Sequence, residues 1–272
     1  VNVEADSTIE AASLVQTAGT GTTTLHDDVT TSAVAGVDLT TSGKIILDGL
    51  TMVTGGTGIA RFNAPTELTT DTVDIDAGGT ITFEKTLISP NGEAQDLILE
   101  TDANIDFNDS VGLGNTNELG AITIDTAVNV EADSTVEAAS LVQTAGTGTT
   151  TLHDDVTTSA IAGVDLTTSG KIVLDGLTMV TGGMGIARFN AATELTTDTV
   201  DIDAGGTITF EKTLISPNGE ARDLILETDA NIDFNDSVGL GATNELGAIT
   251  IDTAVNVEAD STIEAASLVQ TA

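Results

Sequence analysis

The chain repeats itself at a fixed interval of 127 residues, and this limits its fold more than any other feature. VNVEADST begins at Val1 and again at Val128, and VNVEADST returns a third time at Val255. Residues 1–127 and 128–254 differ only at Ile9/Val136, Val34/Ile161, Ile46/Val173, Thr57/Met184, Pro65/Ala192, Gln95/Arg222 and Asn115/Ala242. Residues 255–272 open a third copy and stop partway through it. A sequence of this kind implies a tandem array whose units stack on one another, the organisation of repeat proteins built for reach. The expected layout is one continuous body without linkers, in which 1–127 and 128–254 superimpose by a screw along one axis.

A second, shorter pattern runs inside each copy. Val73-Asp-Ile75, the turn DAGG, Ile81-Thr-Phe83 and Leu87 set the form, and Leu97-Ile-Leu99, ETDA, Ile105-Asp-Phe107 and Val111 repeat it. Val37-Asp-Leu39, TTSG and Ile45-Ile-Leu47 match its first part. Apolar residues thus fall at relative positions 0, 2, 8, 10 and 14. Val15, Thr17, Thr23, Leu25 and Val29 fit this spacing with weaker residues, and Ile122, Ile124, Val130, Ala132 and Val136 carry it across the copy junction. Period-two alternation marks half-buried strands, and clusters of Gly, Ser, Asp and Ala mark corners. Asn-Gly, the strongest short hairpin signal, occurs once per copy (Asn91-Gly92), too rarely for an antiparallel meander.

The fold this predicts is all-β: a single-stranded parallel β-helix, or β-solenoid, of about 5–6 coils per repeat, with strands stacked at about 4.8 Å. Coils at 1–21, 22–43, 44–57, 58–79, 80–103 and 104–127 divide a copy, but the third is too short for a full turn. Either it is narrow, or LTMVT-GGTG-IARF is a hairpin protruding from a five-coil unit. Six coils predict about 29 Å of rise per copy and five about 24 Å. The segment 7–16, STIEAASLVQ, carries a Ser-x-x-Glu resembling a capping box. Strand–corner–strand is preferred there, because a lone helix would interrupt the stack.

Composition narrows the function classes. Aromatics are six Phe with no Tyr or Trp, whereas enzyme cores and pockets normally draw on them. Without Cys there is neither a disulfide framework nor a thiolate metal site. No apolar run approaches the length of a membrane-spanning helix, and no signal peptide is visible. Copy one sets 20 Asp/Glu against Lys44, Arg61 and Lys85, within a formal net charge of −36 for the chain. Such a surface repels nucleic acid and anionic lipid and favours cations. Disorder does not follow, because 40% apolar content in ordered alternation can bury a core.

Candidate sites are few. Asp76, Glu100 and Asp125 each follow an inward aliphatic at equivalent places in consecutive coils, and Asp203, Glu227 and Asp252 repeat them. Stacked at about 5 Å they repel by roughly 1 kcal/mol per pair in water, which a hard, oxygen-seeking cation such as Ca²⁺ would relieve. The plainer reading is a solvated, screened face that holds no metal. A second column reads Glu4, His26, Asp48, Asn63, Glu84 and Asn108, and looks like a corner ladder of polar caps. One His without a second nearby makes a poor metal site, and a solvated corner His with a raised pKa is the simpler expectation.

Gly55-Gly56-Thr57-Gly58 lacks the Lys of a phosphate loop, and Ala60 stands where the calcium-binding nonapeptide needs Asp. Asn108-Asp109-Ser110 is a glycosylation triplet of a kind that arises often by chance. Thr22-Thr23-Thr24 and Thr69-Thr70 do not recur in register, which argues against an ice-binding array. With three cationic residues in copy one and the same residues recurring in copy two, a specialised active site is not expected, and no Ser-His-Asp or Lys-based constellation is present.

AITIDTAVNVEADST, GVDLTTSGKIILDG and DLILETDANIDFNDS resemble the repeat regions of large bacterial surface adhesins of the filamentous-haemagglutinin and autotransporter type. The likeness covers essentially the whole chain and rests on coil pattern and composition. It implies export to the cell surface, a right-handed β-helical shaft, and roles in attachment or biofilm, with no catalytic residue or cofactor to carry over. The expected function is a rod-forming segment of a giant extracellular adhesin or stalk. The competing expectation is a subunit of a self-assembled filament, sheath or surface layer. Expected partners are adjoining repeats or further molecules of the chain, end to end, with cell-surface or matrix contacts and neither nucleic acid nor membrane insertion.

Overall fold

A computed structural model of the chain describes every residue except Asn91, Asn115, Asn218 and Ala272. Among the described residues there is no helix; short strands pair in parallel and wind as a β-solenoid. The chain divides into two compact units, Val1–Ala139 and Ser140–Ala272.

Three ladders build the first unit. The first stacks Val3–Ala5, Thr23–Leu25, Ile45–Leu47, Thr66–Leu68 and Leu87–Ile88, then continues through single bridges from Leu87 to Val111 and from Val111 to Val136. The second stacks Ile9–Ala11, Val29–Thr31, Thr51–Thr54, Thr72–Ala77, Asp96–Thr101 and Leu119–Thr126. The third stacks Leu14–Gln16, Val37–Leu39, Ala60–Phe62, Ile81–Phe83, Ile105–Phe107 and Val130–Ala132.

One strand from each ladder makes a turn, so side chains alternate between the shared interior and the outside. Val37, Leu39, Ile45, Leu47, Val73, Ile75, Ile81, Phe83, Leu97, Leu99, Ile105, Phe107, Ile122 and Ile124 all point inward and are at most 3% exposed. Their equivalents in the second unit are buried in the same way. Leu39, Phe62, Phe83 and Phe107 form one inward column on the third ladder. The rings of Phe62 and Phe83 lie 4.9 Å apart and those of Phe83 and Phe107 5.6 Å apart, stacked nearly parallel. Repeating one side chain on successive turns lets a flat ring lie on its like at the strand spacing.

Corners need different chemistry. A Cβ on Gly78 would sit 1.9 Å from the Gly56 carbonyl oxygen, so only glycine lets these two corners stack. Hydroxyls satisfy the bent backbone elsewhere: Thr101 Oγ1 donates to Gly79 O at 2.7 Å and Thr41 Oγ1 to Gly21 O at 2.6 Å.

The structure corrects the reading of the early turns. Val15 is 48% exposed, and Leu14 and Gln16 are the residues facing in, so the spacing pattern slips by one there. The apparently short third coil is an ordinary turn. Thr51–Thr54 joins the second ladder and Ala60–Phe62 the third, both in parallel, and no hairpin protrudes. Buried Thr54 hides that turn from an apolar pattern, as Thr31 and Thr66 do on the turns to either side of it. Segment 7–16 is strand, corner, strand, as Ile9–Ala11 and Leu14–Gln16. The Asn91-Gly92 signal includes a residue outside those described; its flanking strands, Leu87–Ile88 and Asp96–Thr101, lie on different ladders.

The copy junction Ala127–Val128 falls inside the first unit, and no linker marks it: Ile105–Phe107 pairs directly with Val130–Ala132. Yet the new copy does not restart where the old one did. Val3–Ala5 lies on the first ladder, whereas its repeat Val130–Ala132 lies on the third. Ile9 lies on the second ladder, and its equivalent Val136 on the first. From Val3 to Val130 the chain passes through sixteen strands and the Val111 bridge, which is five turns and two thirds.

The second unit behaves alike. Its ladders stack Thr149–Leu152, Lys171–Leu174, Ala192–Leu195 and Leu214–Ile215; Val156–Thr158, Thr178–Thr181, Thr199–Ala204, Asp223–Thr228, Leu246–Thr253 and Ala265–Gln270; and Val164–Leu166, Ala187–Phe189, Ile208–Phe210, Asn231–Phe234 and Asn256–Ala259. There the third copy opens with Val257 beside Ile232 and Ile263 beside Val238, the same one-ladder displacement.

Candidate functional site

In the first copy the acidic face lies on the second ladder, late in the copy. Asp76 pairs in register with Glu100, but a bulge at Leu99/Glu100 pairs Glu100 with Thr126, leaving Asp125 at the irregularity. Asp203, Glu227 and Asp252 repeat this arrangement, with Glu227 opposite Thr253. The three predicted carboxylates do share a face. The sequence pattern missed a fourth member, Asp74, outward between Val73 and Ile75 on the same strand.

Burial, then the charges of Asp76, Asp125, Asp74 and Asp102, raises the Glu100 pKa above its usual value. Burial, then Asp76 and Asp125, raises Asp74 likewise, and Asp201 responds to burial, Asp203 and Asp252. This is a repelling coat, strongest where turns bring like charges side by side. These carboxylates do not converge as a close ligand set. The compact trio within the first unit is Glu4, Asp6 and His26, whose ligand atoms all lie within 4.8 Å of one another.

His26 is held from both sides. Its Nδ1 lies 2.7 Å from Asp48 Oδ2 and its Nε2 3.2 Å from Glu4 Oε1, so one ring spans carboxylates of the turns before and after. Two carboxylate oxygens accept from both nitrogens only if the ring is an imidazolium. The hydrogen bond to Asp48, then that to Glu4, raises its pKa. A ring that donates through both nitrogens has no lone pair for a metal ion. The geometry therefore fits a proton-holding clamp better than a metal centre. In the second unit His153 Nδ1 lies 3.0 Å from Asp175 Oδ2.

The expected single polar column is in fact two. His26 and Asp48 directly follow strands of the first ladder and Glu4 sits mid-strand there, opposite Thr24, whereas Asn63, Glu84 and Asn108 directly follow strands of the third. On that second corner Asn63 Nδ2 donates to Asp38 Oδ1 at 2.7 Å, and Asn108 Nδ2 to Glu84 Oε2 at 3.0 Å. Arg61 Nε donates to Glu84 Oε1 at 2.9 Å. The bonds from Asn108 and then Arg61 hold the Glu84 carboxyl below its usual range. Lys44 Nζ reaches Glu67 Oε2 at 2.8 Å. Lys44 and Arg61 are thus committed to turn-to-turn pairs on the first and third ladders, and none of these pairs reaches the acidic face of the second.

No described helix is long and apolar enough to cross a membrane. The chain matches no protein-family model, and no curated protein or solved structure matches it.

Proposed function

We propose that this chain is a structural, non-enzymatic segment of an extracellular shaft, of the kind found in giant surface adhesins or stalks, in which repeats add length. The observation that carries this reading is the fate of one sequence in two places. Val3 is 47% exposed on the opening turn, whereas Val130, the same residue of the next copy, is 3% exposed beneath Ile105–Phe107. Where a preceding copy is present, its strand Ile105–Phe107 covers the opening strand of the repeat. The acidic coat supports the extracellular setting, since dense like charge keeps long shafts apart in solution. No cofactor enters this reading, and its partners are adjoining repeats.

The alternative is a subunit that assembles end to end into a filament or sheath. Its support is the direct strand pairing across the copy junction, Ile105–Phe107 with Val130–Ala132, which separate molecules can equally make end to end. Imaging purified chains of two, four and eight copies tests the first reading: contour length should grow by about 27 Å per copy, from the strand spacing of about 4.8 Å. Compact particles of constant length would refute it, and filaments longer than any single chain would favour the alternative. Antibody labelling of intact producing cells, lost after external protease, tests the location.

A further inference from the structure

We infer that the array is a screw in which each copy begins one third of a turn short of its predecessor, so that any repeated surface group faces three directions in succession. The inference rests on the reading of the chain as a continuing array. It is carried by both copy junctions. At the first, Glu131, the repeat of Glu4, lies beside Asp106 on the third ladder, although Glu4 itself lies beside Thr24 on the first. At the second, Glu258 lies beside Asp233 in the same way.

The cause is arithmetic. A copy supplies seventeen ladder positions to a cross-section with three, and seventeen is not a multiple of three. Identity is restored only after three copies, which at the strand spacing is about 82 Å. A whole number of turns would line up every copy's acidic face in one row and leave the other sides of the shaft different. The fractional turn distributes that face, and the clamp at His26, around the whole circumference. A partner that recognises one feature of the repeat then meets it from every side, but meets it again on a given side only every third copy. Two shafts lying side by side through one such feature would touch at that same long interval.

Cysteine pairs in the full chain test this directly, because the chain has no cysteine of its own. Neighbouring strands lie within disulfide reach. Asp106→Cys with Glu131→Cys, and independently Asp233→Cys with Glu258→Cys, should cross-link readily under mild oxidation. Ser110→Cys with Asn129→Cys, and Ser237→Cys with Asn256→Cys, should not. Those latter pairs are the ones a six-turn repeat would bring close, since Ser110 adjoins Val111 of the first ladder and Ser237 adjoins Val238. Cross-linking of the latter pairs in place of the former would overturn the screw while leaving a stacked shaft. Failure of all four in protein that melts normally would overturn both the screw and the shaft.

Discussion

Residues 1–8 and 128–135 have the same sequence and the same strand, Val-Glu-Ala, yet they occupy different ladders and different environments. In the first, Val3 and Glu4 are exposed; in the second, Val130 and Ala132 are each 3% exposed, with Phe107 stacked on Ala132. The segment itself encodes only that it is a strand with Val and Ala on one side. Which ladder it joins is set by how many strands precede it, and how deeply it is buried by whether a turn covers it. Short strands of this kind draw most of their stability from neighbours in the stack.

The sharpest way to break the comparison is to place the same charge at both positions. Val130→Asp should cost about 4 kcal/mol or more, because an unpaired carboxylate would be buried under the Ile105–Phe107 turn. Val3→Asp should cost less than about 1 kcal/mol, as for most surface changes. Denaturant unfolding of the two variants reads the difference, and equal costs would show that the opening turn is not the same structure. Removing the cover is next in size. Phe107→Ala should cost about 3–4 kcal/mol, as for other buried aromatics, since it ends the Phe62–Phe83–Phe107 stack and uncovers Ala132.

Much of this was legible beforehand, for a physical reason. Residues 73–107 alternate strong aliphatics with polar groups, so their inward positions follow from period two alone. Around residues 14–66 the interior accepts Gln16, Thr23, Thr31, Thr54 and Thr66, all but Thr31 hydrogen-bonded there. Thr23 Oγ1, for example, donates to Gln16 Oε1 at 2.7 Å. Hydropathy cannot reveal inward threonines, and it misplaced Val15 and the third turn. The acidic face was visible as a spacing, but Asp74 was not singled out, because its strand position carries no mark beyond alternation. The clamp at His26 joins residues about 22 apart on three turns, a contact that exists only once the register is known.

Electrostatics sharpens the comparison from the exposed side, since Glu4 of the opening strand is one arm of the His26 clamp. The folded-state pKa of His26 is raised above 6.5, so its contribution is fully present below that value and is lost as pH rises through the folded pKa. Glu100 and Asp74 add to the trend. Their folded pKa values are also raised, so the penalty of keeping them charged disappears as pH falls toward their ordinary values of 4.5 and 3.8. Melting temperature should therefore be higher near pH 5 than near pH 8, and His26→Asn should remove part of that difference. A melting temperature that rises from pH 5 to pH 8 would contradict the assignment.

Salt should act in the same direction. Screening shortens the Debye length from about 30 Å at 0.01 M to about 8 Å at 0.15 M, and stability should rise accordingly. Melting curves in Ca²⁺ and Mg²⁺ should coincide at matched ionic strength, as a solvated coat requires. A specific gain with Ca²⁺ would instead make Asp76, Glu100 and Asp125 a binding site. The smallest effect is a gain. Thr31 Oγ1 is buried on the second ladder without a hydrogen-bond partner, so Thr31→Val should stabilise by about 1 kcal/mol.

How far one repeat advances the solenoid decides most directly between a screw and a straight stack of copies. Electron cryomicroscopy of an array lengthened to many copies gives that advance as a rise and a rotation. The expected result is about 27 Å and one third of a turn per copy, from strands about 4.8 Å apart. A rise of about 24 or 29 Å with no rotation, the values for five or six whole turns, would contradict it.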